Sequence, residues 1–390
     1  MAGLTPQRQN IMFIADAQVK ARAAQQLAQG FGIVDPLWLT RRGVNVGWIG
    51  EVKRPTMPAL SDIRARWQDA RPTLLGGFLV NEVCVHQEAI EQSLKLMKQV
   101  LKGKDCADIF SAQPYAASLA PHFELLSSFF DESDTQEIVT VEFDAIANDA
   151  VLMENLWVKL SWLSYEKNDT SLRFRFSQGL QGFDEVQQDP LGPGWAAQLT
   201  EAIFPECAVV TNNLRVQNML KSVLGIEQAE FVERIIYFNA PGGGALFHQD
   251  VERGHLGVVF AQLHGRTGWL TLSKQALIAE VQAFLVHPHA DRVLKRMSKL
   301  DQEKLRLETQ SSKRLSAYLE DCDNEPLMML LNHTPEFTRF LIERGHGFIL
   351  YPGDVLLLPQ HDAEHCAWHS VYCLDEFAGH ALSFAVRSKE

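Results

Sequence analysis

Residues 231–273 read FVERIIYFNAPGGGALFHQDVERGHLGVVFAQLHGRTGWLTLS. Four runs, FVERIIYF, ALFHQD, HLGVVFAQL and TGWLTL, are short and rich in β-branched and aromatic residues. Turn-forming residues divide them, so they read as strands rather than helices. A second set, GFILYP, DVLLLP, WHSVYC and HALSFAVR, falls within residues 346–387. Between the sets, residues 274–345 change period: SKQALIAEVQAFLV, ADRVLKRMSKLDQEKLRLETQSSKRLSAYLE and PEFTRFLIERG read as helices.

Eight short strands interrupted by a helical block point to a closed β architecture. The expected fold is α+β: a C-terminal double-stranded β-helix, a jelly-roll or cupin-like barrel with a ligand-sized mouth, carrying a helical insert at about 274–345. The insert would sit outside the barrel, as a lid or as a contact in a homo-oligomer. Upstream, NEVCVHQEAIEQSLKLMKQVLKG has helical periodicity closed by a glycine, whereas QEIVTVEFDAI and SLRFRF alternate like strands. Glycine and proline thicken in SQGLQGFDEVQQDPLGPGW, which marks a boundary. The expected division is therefore 1–185, a mixed helix/strand N-terminal region, and 186–390, the barrel with its insert.

A length of 390 residues exceeds what one core usually serves, which suits such a division. No uninterrupted apolar run is long enough to span a bilayer, so no membrane partner is expected. The first residues lack the basic start and apolar middle of a secretory leader. Six scattered cysteines without a C-x-x-C pair suit a reducing compartment, and a cytoplasmic location is expected. A net charge of −12 opposes a phosphate backbone, so nucleic acid is not an expected partner.

The chemistry-bearing signal is His248-Gln249-Asp250, just after the turn Pro241-Gly242-Gly243-Gly244. In an extended strand alternate side chains share a face, so the imidazole of His248 and the carboxylate of Asp250 can address one centre. A third ligand must come from another strand, and His369, in Trp368-His369-Ser370-Val371, is the best candidate. Two imidazoles and one carboxylate on one face of an octahedron leave the opposite positions open, an arrangement suited to non-haem iron(II). His361 and His365 stand at helical spacing from His369 and with Cys366 offer a competing zinc-like cluster. They lie, however, in a polar, acidic loop. His264, His287, His289, His333 and His346 read as structural or surface residues, and His255 as a lesser neighbour of the site.

In order along the chain, a tyrosine-bearing strand with Tyr237, the glycine turn, His248-x-Asp250, Gln262-Leu263-His264-Gly265 with Trp269, and Gly353-Asp354-Val355-Leu356 leading to His369 resemble the JmjC and cupin-like 2-oxoglutarate oxygenases. The likeness covers residues 231–273 and 346–387. It implies a dioxygenase using Fe(II), 2-oxoglutarate and O2, with His248, Asp250 and His369 as catalytic metal ligands. Where that family often has a lysine to hold the far carboxylate of 2-oxoglutarate, this chain has Thr267, with Arg266 facing the other way. Other 2-oxoglutarate oxygenases use an arginine on the strand after the distal histidine, which makes Arg387 the expected anchor. An arginine fork suits a carboxylate through paired charge-assisted bonds. Tyr237, Thr267 and Ser383 are expected to assist.

A carboxylate at Asp250 argues for hydroxylation, since related halogenases carry a small residue there. A small metabolite, such as an amino acid or biosynthetic intermediate, is the expected substrate. A protein residue is the alternative within the same chemistry, and a non-catalytic metal- or ligand-binding module the alternative outside it.

Overall fold

The structure is a computed structural model that describes residues 34–41, 44–53, 56–148, 150–163, 170–179, 192–252 and 254–388. The start of the chain, read as lacking a leader, and the boundary placed near residue 185 lie outside the described residues. Fifteen strands are described: β1 (Val34–Arg41), β2 (Val44–Lys53), β3 (Thr73–Leu75), β4 (Phe123–Phe129), β5 (Glu137–Ala147), β6 (Ala150–Trp162), β7 (Leu172–Gln178) and β8 (Ala229–Asn239) come first. They are followed by β9 (Gly244–His248), β10 (Gly257–His264), β11 (Thr267–Ser273), β12 (Gly347–Leu350), β13 (Val355–Pro359), β14 (Ala367–Cys373) and β15 (Gly379–Ser388). The last eight coincide with the eight runs read from the sequence. Six helices from Lys274 to Glu343 fill the space between β11 and β12. NEVCVHQEAIEQSLKLMKQV forms two helices, Val80–Val85 and Gln87–Val100, instead of one. His86 Nδ1 lies 2.9 Å from the Glu82 carbonyl at the break, so a side chain competes there for a helical acceptor.

The architecture is mixed α+β with two large antiparallel sheets. One has the order β3, β13, β10, β15, β8, β7, β6, β5, β4; the other has the order β12, β11, β14, β9. Strand alternation then sorts the side chains into three layers of core. Val259, Ala261, Leu357, Phe384, Ile236 and Phe238 leave the outer face of the nine-stranded sheet and pack with upstream helices. Leu270, Leu272, Trp368, Tyr372 and Phe247 leave the outer face of the four-stranded sheet and pack against the insert and Leu39. Phe260, Trp269, Leu356, Leu358 and Val371 meet between the sheets. Both faces being covered explains why β10, β11, β13 and β14 are almost wholly buried and read as near-continuous apolar runs.

The upstream strands continue the larger sheet, because β7 pairs with β8 through Leu172↔Phe238 and Arg173↔Tyr237. No helix among the described residues is long and apolar enough to cross a membrane.

Candidate metal centre

β9 follows the glycine turn, and Gly244 is required there. A Cβ at Gly244 would stand 2.0 Å from the Val371 carbonyl oxygen, and its φ of +137° is one that side-chain-bearing residues rarely adopt. With no side chain, β9 closes on β14 and His248 falls directly opposite His369. The two rings are 4.2 Å apart, and Trp269 stacks on His369 at 5.4 Å. β9 ends at His248, so Asp250 lies in the irregular stretch that follows, yet its carboxylate turns back to both rings. Oδ1 is 3.4 Å from His248 Nε2, and Oδ2 is 3.3 Å from His369 Nε2.

Two donors at right angles, each about 2.1 Å from an ion, stand about 3.0 Å apart. The observed spacings are close to that value, and one donor atom from each residue lies within 4.8 Å of the others. The tautomers fit as well. His248 Nδ1 is 2.7 Å from the Leu246 carbonyl and His369 Nδ1 is 3.4 Å from that of Ala367. Each Nδ1 donates outward, which leaves the Nε2 lone pair facing the shared point. His369 is buried, whereas His248 and Asp250 keep one side open. The donor set therefore fits a divalent cation with positions left for other ligands.

The charges agree with this arrangement. Burial pushes the Asp250 carboxyl upward, but His369 and then His248 outweigh it and hold the group well below the usual carboxylate range. Burial, followed by His248, pushes the His369 imidazole down to about 4. Burial alone would lower His248 too, but Asp250 reverses this and raises it. His369 is thus a neutral imidazole ready to ligate, whereas His248 holds its proton more tightly beside Asp250 and would give it up to an incoming cation.

The centre opens into a cavity of about 470 Å³, lined by the apolar Ile235, Val258, Phe260 and Leu358 and by the charged Arg173, Arg175, Glu233 and Glu252. That volume is of ordinary size for a small-molecule site. Tyr237 and Ser383 line it. Burial, and then Asp250, raises the Tyr237 hydroxyl far above its ordinary value, so it stays protonated and able to donate.

Thr267 is placed differently. Its hydroxyl donates to Gln262 Oε1 at 2.9 Å and accepts from Trp269 Nε1 at 2.9 Å, and it is not among the cavity-lining residues. Arg387 is also outside the lining: its Nε donates to Glu230 at 2.7 Å. Arg266 binds Asp375. His361 and His365 occupy a loop, where His361 Nε2 lies 2.9 Å from the Trp67 carbonyl and His365 Nδ1 is 3.0 Å from Asp362.

Arg173 and Arg175 were missed by sequence reasoning. The alternation Leu172-Arg173-Phe174-Arg175-Phe176 does place both arginines on one face, but nothing local says that this face lines the cavity. Arg175 Nη2 donates to Glu233 at 2.6 Å. Arg173 Nη2 donates to Gln136 Oε1 at 3.1 Å, while its Nε is buried with no partner among the described residues. Glu233, Glu252 and His255 form a second cluster at the cavity edge. There, burial and then Glu233 push the Glu252 carboxyl up to about 7.

No protein-family model matches this sequence, and no curated protein matches it. Solved structures do. An oxidoreductase of the 2OG-Fe(II) oxygenase family from Burkholderia pseudomallei is 9% identical over 86% of this chain and 93% of its own, with a TM-score of 0.29. A prolyl-4-hydroxylase from Pseudomonas putida is 10% identical over 85% of this chain and 100% of its own, with a TM-score of 0.27. The Escherichia coli ribosomal oxygenase YcfD is 12% identical over 70% of this chain but only 42% of its own, with a TM-score of 0.23.

Proposed function

We propose that this protein is a non-haem Fe(II)- and 2-oxoglutarate-dependent oxygenase that hydroxylates an unactivated carbon of a small metabolite. The observation that carries this reading is the convergence of His248, Asp250 and His369 at near-cis spacing, with one side open to a cavity. β8 to β11 and then β12 to β15 alternate between the two sheets, with β11 and β12 sharing the smaller one, in the pattern of a double-stranded β-helix, which supports the barrel assignment.

His248, Asp250 and His369 would hold the iron, and the bound metal would supply, with 2-oxoglutarate and O2, the oxidising power to replace C–H by C–OH with release of succinate and CO2. The chain's own residues do the rest. Arg387 was the anchor expected from sequence, but the cavity favours Arg173. Arg173 stands beside Tyr237 in register and has a donor without a partner, so the pair can hold the far carboxylate, with Ser383 on the same floor. Phe260, Val258 and Leu358 keep water from the reacting carbon. Glu233 and Glu252, which also line the cavity, suit the polar groups of a metabolite such as an amino acid.

Anaerobic protein given Fe(II) and then 2-oxoglutarate should develop a weak visible charge-transfer band, and aerobic protein should release succinate when screened across metabolite and peptide panels. Protein that stays colourless is a binding module without a co-substrate site. Succinate release coupled only to peptides would move the substrate to a protein residue.

A further inference from the structure

β9, which carries His248, is an edge strand that among the described residues pairs with β14 alone. Its ladder shifts between Val371↔Ala245 and His369↔His248, so that β9 advances three residues where β14 advances two. An extra residue of this kind is a β-bulge, which breaks the ladder and re-aims the side chains after it. Ala245 and Leu246 both face the cavity, Phe247 turns into the outer core, and His248 returns to the cavity.

The backbone groups released by the bulge are taken up by two buried side chains from distant parts of the chain. Arg41, at the end of β1, donates through Nη1 to the Ala245 carbonyl at 2.5 Å and to the Ser370 hydroxyl, which in turn donates to the same carbonyl at 3.1 Å. Asn332, on the insert helix Glu325–His333, accepts the Phe247 N–H through Oδ1 at 2.7 Å. The two are joined, because Arg41 Nη2 donates to Asn332 Oδ1 at 3.3 Å and to its carbonyl at 3.4 Å. The guanidinium also lies over the Tyr372 ring at 4.2 Å. Arg41 and Asn332 are each only 3% exposed, and Ser370 is fully buried. A buried cation held by this many acceptors has one position, and so does the strand it grips.

We propose that Arg41 and Asn332 are positioning residues for the metal centre. They clamp the β9 bulge from behind the four-stranded sheet, so that His248 Nε2 stands at its reach from Asp250 and His369 before an ion arrives. Leu39, two residues before Arg41 on the same face of β1, anchors the strand in the same outer core. Strand β1 and the helical insert thus act on the site without touching the ion. The inference rests on the metal centre proposed above.

The test is anaerobic titration of the full chain with Co(II), reading affinity by calorimetry and ligand geometry by the visible d–d bands. Partners behind a metal ligand are typically worth about 10–100-fold in metal affinity. Arg41→Met and Asn332→Leu should weaken Co(II) binding by that factor and alter the bands. Asn332→Asp, which keeps the acceptor, should stay near wild type, and Arg41→Lys should fall between. Leu305→Ala, a core truncation elsewhere in the insert, should lower the melting temperature while leaving affinity and bands unchanged. If Arg41→Met does not fold, the contrast between Asn332→Leu and Asn332→Asp decides. Wild-type affinity and bands in the clamp variants would overturn the clamp and leave the oxygenase reading standing, as would equal losses in Leu305→Ala. Failure of the wild-type chain itself to bind Co(II) would instead remove the metal centre.

Discussion

Exchanging Arg173 for Met keeps most of its apolar stem and removes the charge beside Tyr237. The carboxylate-holding role assigns this guanidinium charge-assisted bonds inside the cavity, and such bonds are worth about 1.5–3 kcal/mol. At tenfold per 1.4 kcal/mol, the dissociation constant of 2-oxoglutarate should rise about 10–100-fold. Arg387 offers the contrast. It is paired with Glu230, both side chains are about a quarter exposed (27% and 28%), and a pair of that kind contributes at most about 1 kcal/mol to stability. Arg387→Ala should therefore leave co-substrate affinity unchanged. The assay is anaerobic titration of the Fe(II)-loaded protein with 2-oxoglutarate, following the visible band. The opposite result, a tenfold loss in Arg387→Ala with Arg173→Met at wild-type affinity, would refute the assignment and restore the anchor expected from sequence.

Other outcomes test the site and its frame. Asp250→Ala should abolish metal uptake and succinate release while the circular dichroism spectrum stays that of the wild type, since only one cavity side chain is lost. Gly244→Ala should destabilise by more than the usual overpacking cost of about 1–3 kcal/mol, because its new Cβ meets the Val371 carbonyl oxygen; denaturant unfolding measures it. A saturating divalent ion should stabilise the wild type by about 2.7 kcal/mol at a hundred times its dissociation constant, and a chelator should remove that increment. Of the six cysteines, only the exposed Cys84 and Cys322 should react quickly with a thiol reagent at pH 8. Burial pushes the Cys106 and Cys366 thiols up to about 12, so both stay protonated there; more than two fast thiols would show that the core opens readily.

Much of this molecule was legible in local patterns. Every one of the eight late strands is where alternation and turn residues placed it, because side-chain period is a property of neighbouring residues. The helical insert declared itself by the change of period at Lys274. His248 and Asp250 could be paired because they are two residues apart, although Asp250 proves to lie just beyond the strand and reaches the centre from an irregular stretch.

What lay beyond sequence reading depends on which strand sits beside which. Leu172-Arg173-Phe174-Arg175 announces a strand with two arginines on one face, but only the pairing of β7 with β8 turns that face toward the cavity. Thr267 has the right parity for a co-substrate ligand, yet Gln262 and Trp269 close over it. Arg41 carries no local mark at all. By itself the sequence determined the element types, the three candidate ligands and the chemistry they could support, since these follow from residue identity and short-range spacing. Tertiary structure alone decided the cavity's charged wall, the register that sets His248 against His369, and the buried arginine behind them, because each depends on contacts between residues far apart in the chain.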